Sequence, residues 1–336
     1  MNTFRIKCAF RAVFRGMAIA FLLGQPGPSH AAGLPYERVF KNRNATGEEL
    51  ARAFFDLLSK TGSPAGTIGT TPAQDEASKK LVRPYLDPAF LLQRASGERY
   101  TAQTYLPADV DEFKLGDVSE TRPAEGVVVV RYAIRTFETL PDSALVMSKD
   151  KAPRLTVFHW SVDDKRWKVL SHANFNTPVA AICDRKPFFD NGVNSPAHPK
   201  DQALGEELVG RFYDLVSKGD ALPIYHPELQ FQSASGVGYS GLVNRTRPTR
   251  YRKITFDRAV VTRNGRLLVV SSYNSTEERI LMQSVHLQAE SAPNLSTFIQ
   301  GKDGTWSLIA IAAFAPAKAL PEGAVCVAPG KLQNAP

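Results

Sequence analysis

The chain has 336 residues, 43% of them hydrophobic and 22% charged, three cysteines and a formal charge of +8. That balance excludes an intrinsically disordered chain and a multi-pass membrane protein, and it provides for a packed core in about two domains. Much of the positive charge sits in the first residues, so the total overstates any attraction for nucleic acid.

The opening segment, MNTFRIKCAFRAVFRGMAIAFLLGQPGPSHAAG, places Arg5, Lys7, Arg11 and Arg15 ahead of an apolar run from Met17 to Leu23, then small residues at Ser29, Ala31 and Ala32. This is the layout of a secretory signal peptide over residues 1–32, cut after Ala31 or Ala32. The run is short for a bilayer span, and no cysteine follows it to carry a lipid; a retained anchor is the alternative. Removing the four basic residues lowers the charge from +8 to +4. The expected product is a soluble periplasmic or secreted protein without stable membrane insertion and without a nucleic-acid partner. Cys8 leaves with the peptide, and Cys183 and Cys326 remain in a compartment where they can pair.

Residues 33–44 read as an N-terminal extension. From Gly47, GEELARAFFDLLSK sets Leu50, Phe54, Leu57 and Leu58 at helical spacing, and from Gly205 the chain repeats it as GEELVGRFYDLVSK, with Leu208, Phe212 and Leu215 in the matching places. Only the first copy goes on to TGSPAGTIGTTPAQDEASKK (61–80), whose Gly, Thr, Ser and Pro content reads as a surface loop, either a tolerated insertion or a lid.

The correspondence then continues at an offset of about 140 residues. ASGERY at Ala95 answers to ASGVGY at Ala234, TRPAEGVVVVRY at Thr121 to TRNGRLLVVSSY at Thr262, and APRLTVF at Ala152 to APNLSTF at Ala292. Trp167 matches Trp306, Phe175 matches Phe314, and one cysteine follows each final strand. DRKPFFDNGVNSPAHPKDQ between the copies has linker composition. The expected organisation is a first copy over 45–184, a linker over 185–202, a second copy over 203–327 and a tail over 328–336. Helices first and β-branched runs afterwards argue for an α+β fold.

These features, namely EELARAFFDLLSK, ASG and the closing hairpin RLTVFHWSVDDKRWKVLSHANF, each with a counterpart in the second copy, resemble the nuclear transport factor 2-like superfamily, which includes ketosteroid isomerases and SnoaL-like cyclases. The resemblance covers most of residues 45–180 and 203–317. It implies two tandem cone-shaped domains, each with N-terminal helices on a curved antiparallel sheet. In that superfamily the open end of the cone often holds a small apolar ligand, and domains commonly pair through their outer sheet faces.

If the hairpin pairs Trp160 with Trp167, strict alternation puts Thr156, Phe158, Trp160, Trp167, Val169, Ser171, Ala173 and Phe175 on one face. Leu155, Val157, His159, Lys168, Leu170, His172, Asn174 and Asn176 then share the other. In the second copy the first face keeps Phe298, Trp306, Leu308 and Phe314, as a core would, while His159, His172, Asn174 and Asn176 become Ile299, Ile311, Ala313 and Ala315. An apolar outer face needs cover, which predicts that the copies pack sheet to sheet as an intrachain pseudo-dimer, a monomer overall. A Cys183–Cys326 bridge near the two-fold axis suits this arrangement; two buried thiols are the alternative.

His159 and His172 are candidates for acid–base chemistry, as are Asp109 and Asp111 in LPADVDEF. The assumed register sets His172 opposite Leu155 and His159 opposite Lys168, so the two rings are not expected to meet. Tyr100 and its counterpart Tyr239, with His172 and Asn174, are candidate ligand contacts. RTRPTRYRK (Arg245 to Lys253) reads as a solvated basic strand or an anion-attracting patch. No set of side chains has metal-ligand spacing and no cofactor motif appears, so no metal or cofactor is expected. The leading functional expectation is a non-catalytic protein that binds a small apolar or amphipathic ligand or a protein partner. The alternatives are an isomerase, dehydratase or cyclase working in the first copy, or a structural module without a pocket.

Overall fold

The computed structural model describes residues 36–61, 72–107, 109–139, 145–183, 192–219, 221–241, 250–281, 284–316, 320 and 326–327. The segment expected to be a signal peptide, positions 62–71 of the expected loop and residues 245–249 of the basic cluster lie outside them, as do the side chains of residues 250–253.

Helix α1 (Tyr36–Lys41) falls in the stretch read as an extension, yet Phe40 is fully buried and meets Tyr85 at 4.8 Å, so this turn of helix belongs to the first core. Helix α2 (Gly47–Leu58) begins where its sequence caps it: Thr46 Oγ1 accepts from the Glu49 N–H at 3.2 Å, and Glu49 Oε2 accepts from the Thr46 N–H at 2.8 Å. Its buried face holds Leu50, Phe54, Leu57 and Leu58 as expected, joined by Ala51 and Phe55.

Helix α3 (Pro72–Val82) occupies the latter part of the segment read as a loop. A proline at its start, Asp75 in the first turn and Lys79 and Lys80 in the last all suit a helix, which the surrounding Gly, Ser and Thr residues obscured. Helix α4 (Pro199–Ser217) starts within the expected linker, capped by His198, and buries Leu208, Val209 and Phe212.

The glycine that opens both repeats has a steric cause. A Cβ on Gly205 would lie 2.6 Å from a Val261 methyl, and one on Gly47 would overlap a Val130 methyl. In each half, helix and sheet approach too closely there for any side chain.

The first half continues through β1 (Leu86–Arg94), β2 (Arg99–Thr101), β3 (Asp109–Ala124), β4 (Val127–Thr139), β5 (Leu145–Met147), β6 (Ala152–Ser161), β7 (Arg166–Asn174) and β8 (Pro178–Ile182). After α4 come β9 (Tyr225–Ser233), β10 (Gly238–Ser240), β11 (Arg250–Asn264), β12 (Leu267–Leu281), β13 (Ser284–Gln300), β14 (Trp306–Ala313) and β15 (Cys326–Val327). Neighbours run β2-β1-β7-β6-β4-β3 in one sheet and β10-β9-β14-β13-β12-β11 in the other, the same order strand for strand. Within these six, pairing is antiparallel except for β1 with β7 and β9 with β14, so each sheet is mixed rather than wholly antiparallel. This is the helix-then-sheet, cone-type α+β arrangement that the resemblance implied. Strands β5, β8 and β15 add to the first sheet alone, and β15 arrives from beyond the second half to lie parallel to β8.

The closing hairpin departs from strict alternation. Trp160 pairs with Trp167 and Phe158 with Val169, but Val157 then pairs with Ser171 and Thr156 with His172. Leu170 is the extra residue of a β-bulge, and beyond it every side chain of β7 changes face. Ser171, Ala173 and Phe175 therefore face outward, and His172 faces inward opposite Thr156 rather than Leu155. The second half has the same bulge at Ile309, between the Phe298–Leu308 and Thr297–Ala310 pairs. A related shift separates two tyrosines that the repeat aligns: Tyr132 pairs with Arg154, whereas Tyr273 pairs with Pro293 and points the other way, donating to Gly97 O at 2.5 Å.

Those outward faces meet. Ala89, Leu91, Val127, Val129, Leu155, Val157, Leu170, Ala173 and Phe175 from the first half form one buried cluster with Val260, Leu267, Val269, Leu295, Ile299, Ile309, Ala310, Ala312 and Phe314 from the second. The two sheets thus cover each other as an intrachain pseudo-dimer. Ser171 Oγ and Thr297 Oγ1 lie 2.9 Å apart across it, Ser271 donates to Gln93 Oε1 at 2.7 Å, and Thr262 donates to Ala89 O at 2.6 Å. A disulfide joins Cys183 to Cys326.

Candidate functional site

The inner face of the first sheet, under α2, collects the polar groups. From β4 and β6, Tyr132 and Thr156 place their hydroxyls 3.0 Å apart, and Thr156 Oγ1 lies 2.8 Å from His172 Nδ1 on β7. The direction in which Tyr132 donates to Thr156 and Thr156 donates to Nδ1 is consistent across the chain of three. The imidazole stands edge-on to Phe54 at 5.4 Å and to Phe55 at 6.4 Å. Burial, then the Arg154 cation and then the Arg94 cation hold the His172 pKa well below its usual 6.5, so the ring is neutral at pH 7.

Arg154 lies two residues before Thr156 on the same face of β6 and is 0% exposed. One of its guanidinium nitrogens donates to Pro153 O at 3.0 Å and to Asn176 Oδ1 at 3.4 Å. Arg94, 2% exposed, ends β1 two residues after the core residue Leu92 and has its guanidinium 5.6 Å from the centre of the Tyr100 ring. Asn174 Oδ1 accepts from the Asn176 N–H at 2.9 Å. Of the expected contacts, then, His172, Asn174 and Tyr100 come to one interior.

The remaining candidates do not join them. His159 lies on the outer face, where its Nδ1 sits 2.9 Å from Asp87 Oδ2. Asp87 is fully buried and also accepts from the Ala89 N–H at 2.9 Å and from Asn264 Nδ2 at 2.8 Å, so this cluster ties the halves together. Tyr239 is half-buried and stacks on Phe231 at 4.6 Å in the second half, away from the groups around His172. Asp109 and Asp111 fall at the start of β3, where Asp109 pairs with Thr139, and their side chains lie outside the described residues. Among the described residues, no group of three or more His, Cys, Asp or Glu is placed to hold a metal ion.

No motif in the sequence singles out Arg94, Arg154 or Thr156 as site residues. The signal available was the contrast between copies: Ser233 stands where Arg94 does, Asn294 for Arg154, Ile311 for His172, Ala313 for Asn174 and Ala315 for Asn176. Two buried cations and a histidine in one copy against small or apolar residues in the other mark the first interior as chemically distinct.

No protein-family profile matches this sequence, and no curated protein does. Among solved structures, the chain is similar to an NTF2-like protein from Cytophaga hutchinsonii, at 17% identity over 35% of this chain and 99% of that one, with a TM-score of 0.31. It is similar also to a nuclear transport factor 2 superfamily protein from Salmonella enterica, at 14% identity over 36% of this chain and 95% of that one, with a TM-score of 0.31. A protein of unknown function with a cystatin-like fold from Nostoc punctiforme is 19% identical over 39% of this chain and 99% of that one, with a TM-score of 0.27. Such likenesses concern fold alone, and the tandem architecture stands on the matching strand orders of the two sheets.

Proposed function

We propose that this is an exported tandem binding protein whose first half holds a small amphipathic ligand and whose second half serves as its scaffold. The observation that carries the reading is the buried Tyr132–Thr156–His172 chain beneath Phe54 and Phe55, beside Arg94 and Arg154, with apolar or small residues at most of the matching positions of the second half. Two guanidinium groups and an imidazole cost more to bury than the small or apolar residues at the matching positions, and aromatic walls over a few convergent polar groups are the usual composition of a ligand site. The Cys183–Cys326 bond supports an oxidising compartment and hence export.

Native mass spectrometry of the protein purified from its own host tests this. A retained small molecule, lost in a His172→Ile, Arg154→Asn double variant that copies the second half, is the expected result; an empty protein in every preparation contradicts it.

A second reading, an enzyme of the isomerase or dehydratase type, is favoured by one feature. A neutral imidazole whose Nδ1 accepts from a hydroxyl relay carries its hydrogen on Nε2, and a neutral N–H held in this way can donate to a carbonyl oxygen that gains charge during reaction. Loss of turnover in His172→Gln with ligand retention intact separates catalysis from binding.

A further inference from the structure

We infer that the outer face of the first half is keyed to accept the second half and to refuse another first half. The keys are Arg99 facing the small Ser271, Arg131 facing Gly238, and the Asn264 amide that serves Asp87. Pairing by unlike halves keeps one polar interior per molecule, where a pair of first halves would have two. The inference stands whatever that interior holds.

The two seams between the halves are built alike. Thr121 donates to Glu228 O at 2.7 Å across one, and Thr262 donates to Ala89 O at 2.6 Å across the other, between matching positions of the repeat. Strand register carries the match onward. Arg131 pairs with Leu155 in the first sheet as Ser271 pairs with Leu295 in the second, and Arg99 pairs with Gln93 as Gly238 pairs with Gln232. In one seam Ser271 donates to Gln93 Oε1 at 2.7 Å, while Arg99, beside Gln93, donates to Arg258 O and holds its guanidinium 5.2 Å from the centre of the Tyr273 ring. In the other, Arg131 reaches over Gly238, where a Cβ would lie 2.5 Å from Nη1 and 2.7 Å from Cδ. A large cation thus faces a small residue in both seams, and the first half supplies the cation each time, once from β2 and once from β4.

Two first halves related in the same way would bring the cations together. Arg99 holds the register of Gly238, so its side chain would begin where only a hydrogen fits, against the Arg131 guanidinium, and would add like charge to the overlap. Nε of Arg131 is already buried, which leaves the side chain little room to turn aside. Asp87 sets a third condition. It is fully buried and accepts from Asn264 Nδ2 at 2.8 Å to Oδ2 and 3.0 Å to Oδ1. At the matching hairpin the first half has Pro123 and Ala124, neither with a side-chain donor, so each Asp87 of a like pair would lose that hydrogen bond inside the seam. Two second halves would set Ser271 opposite Gly238 and leave the space of an arginine unfilled. A clash, a lost donor and a void are the means by which a surface rejects the wrong partner.

The test writes the like-paired contact into the full chain. Gly238→Arg sets an arginine against Arg131, as another first half would. In urea denaturation it is expected to lower the folding equilibrium constant at least about tenfold more in the otherwise unaltered protein than beside Arg131→Ser, which vacates the space. Gly238→Ala, a smaller probe within β10, is expected to lower the constant in the unaltered protein and not beside Arg131→Ser. The other seam repeats the experiment, with Ser271→Arg expected to recover at least about tenfold when Arg99→Gly is added. Where an arginine variant does not fold, recovery of the fold by the opposing substitution is the same coupling, and Gly238→Ala reads its seam without that risk. Coupling at both seams supports the inference. Losses at either seam that are equal with and without the opposing arginine overturn it.

Discussion

Phe175 and Phe314 stack ring on ring, centroids 4.2 Å apart and planes within 17°, one just past the end of β7 and the other just past the end of β14. They are equivalent positions of the repeat, and a residue can meet its own counterpart only near the axis that relates the copies. Ser171 and Thr297, and Cys183 and Cys326, also bridge the halves. Truncating either ring leaves a hole in a buried cluster, so Phe175→Ala and Phe314→Ala are each expected to lose about 3–5 kcal/mol in urea unfolding. The double variant is expected to lose less than the sum by about 0.5–1.5 kcal/mol, the stacking share; full additivity would place the rings in separate environments.

Glycine in a helix interior ordinarily gives way to alanine with a gain. At Gly205 the added methyl would meet Val261 at 2.6 Å, and at Gly47 it would overlap Val130, so both alanine variants are expected to destabilise by about 1–3 kcal/mol. Gly210 on α4 is the control, because its Cβ would meet only Phe256 at 3.5 Å; Gly210→Ala is expected to stabilise by about 0.5–1 kcal/mol. Thermal melts of the three variants, compared in sign, check the close helix–sheet approach.

The His172 ring gives a pH dependence with a definite sign. Its folded pKa is depressed well below 6.5 by burial, Arg154 and Arg94, so the unfolded chain takes a proton that the native chain refuses. The contribution is complete above pH 6.5 and is lost as pH falls from there toward the folded value, at up to about 1.4 kcal/mol per pH unit. His226, half exposed and depressed chiefly by burial, adds a smaller effect of the same sign. Denaturation from pH 7.5 to 5 is expected to show a steeper fall in the native protein than in His172→Gln, whose remaining slope isolates the other groups.

Asp87 holds three partners without any exposure of its own. Asp87→Ala leaves the Ala89 N–H and the Asn264 amide facing nothing in the seam between the halves, and a loss of about 3–5 kcal/mol is expected. Asn264→Ala, which removes only one donor, is expected to lose less. Equal losses in chemical denaturation would show that the cluster acts as a single bond.

The repeat was readable because close packing leaves few choices: Gly47 and Gly205 must lack side chains, and Phe54 and Phe212 must fill the same place under a sheet. The covered outer face was readable too, since Ile299 has no polar function to perform in water. What alternation could not supply was the place where it fails. Leu170 and Ile309 are ordinary apolar residues in ordinary strands, and nothing in their side chains announces a bulge, so strict alternation puts His172, Asn174 and Asn176 on the wrong face of the first sheet. Once the bulge is placed, these residues join Arg154 and Arg94, whose burial single-residue propensity opposes. Helix α3 was a different kind of omission, for its charges at Asp75, Lys79 and Lys80 are in the sequence, masked by flexible-looking neighbours.

Strand β15 lies against β8, and the sulfur bridge beside it ties residue 326 back to residue 183. Everything between those positions, the whole second half included, is a closed covalent ring hung from the first. A cut in the segment joining the halves opens that ring without releasing a fragment, so two pieces part only after reduction, and the second half is fastened to the first at both of its ends.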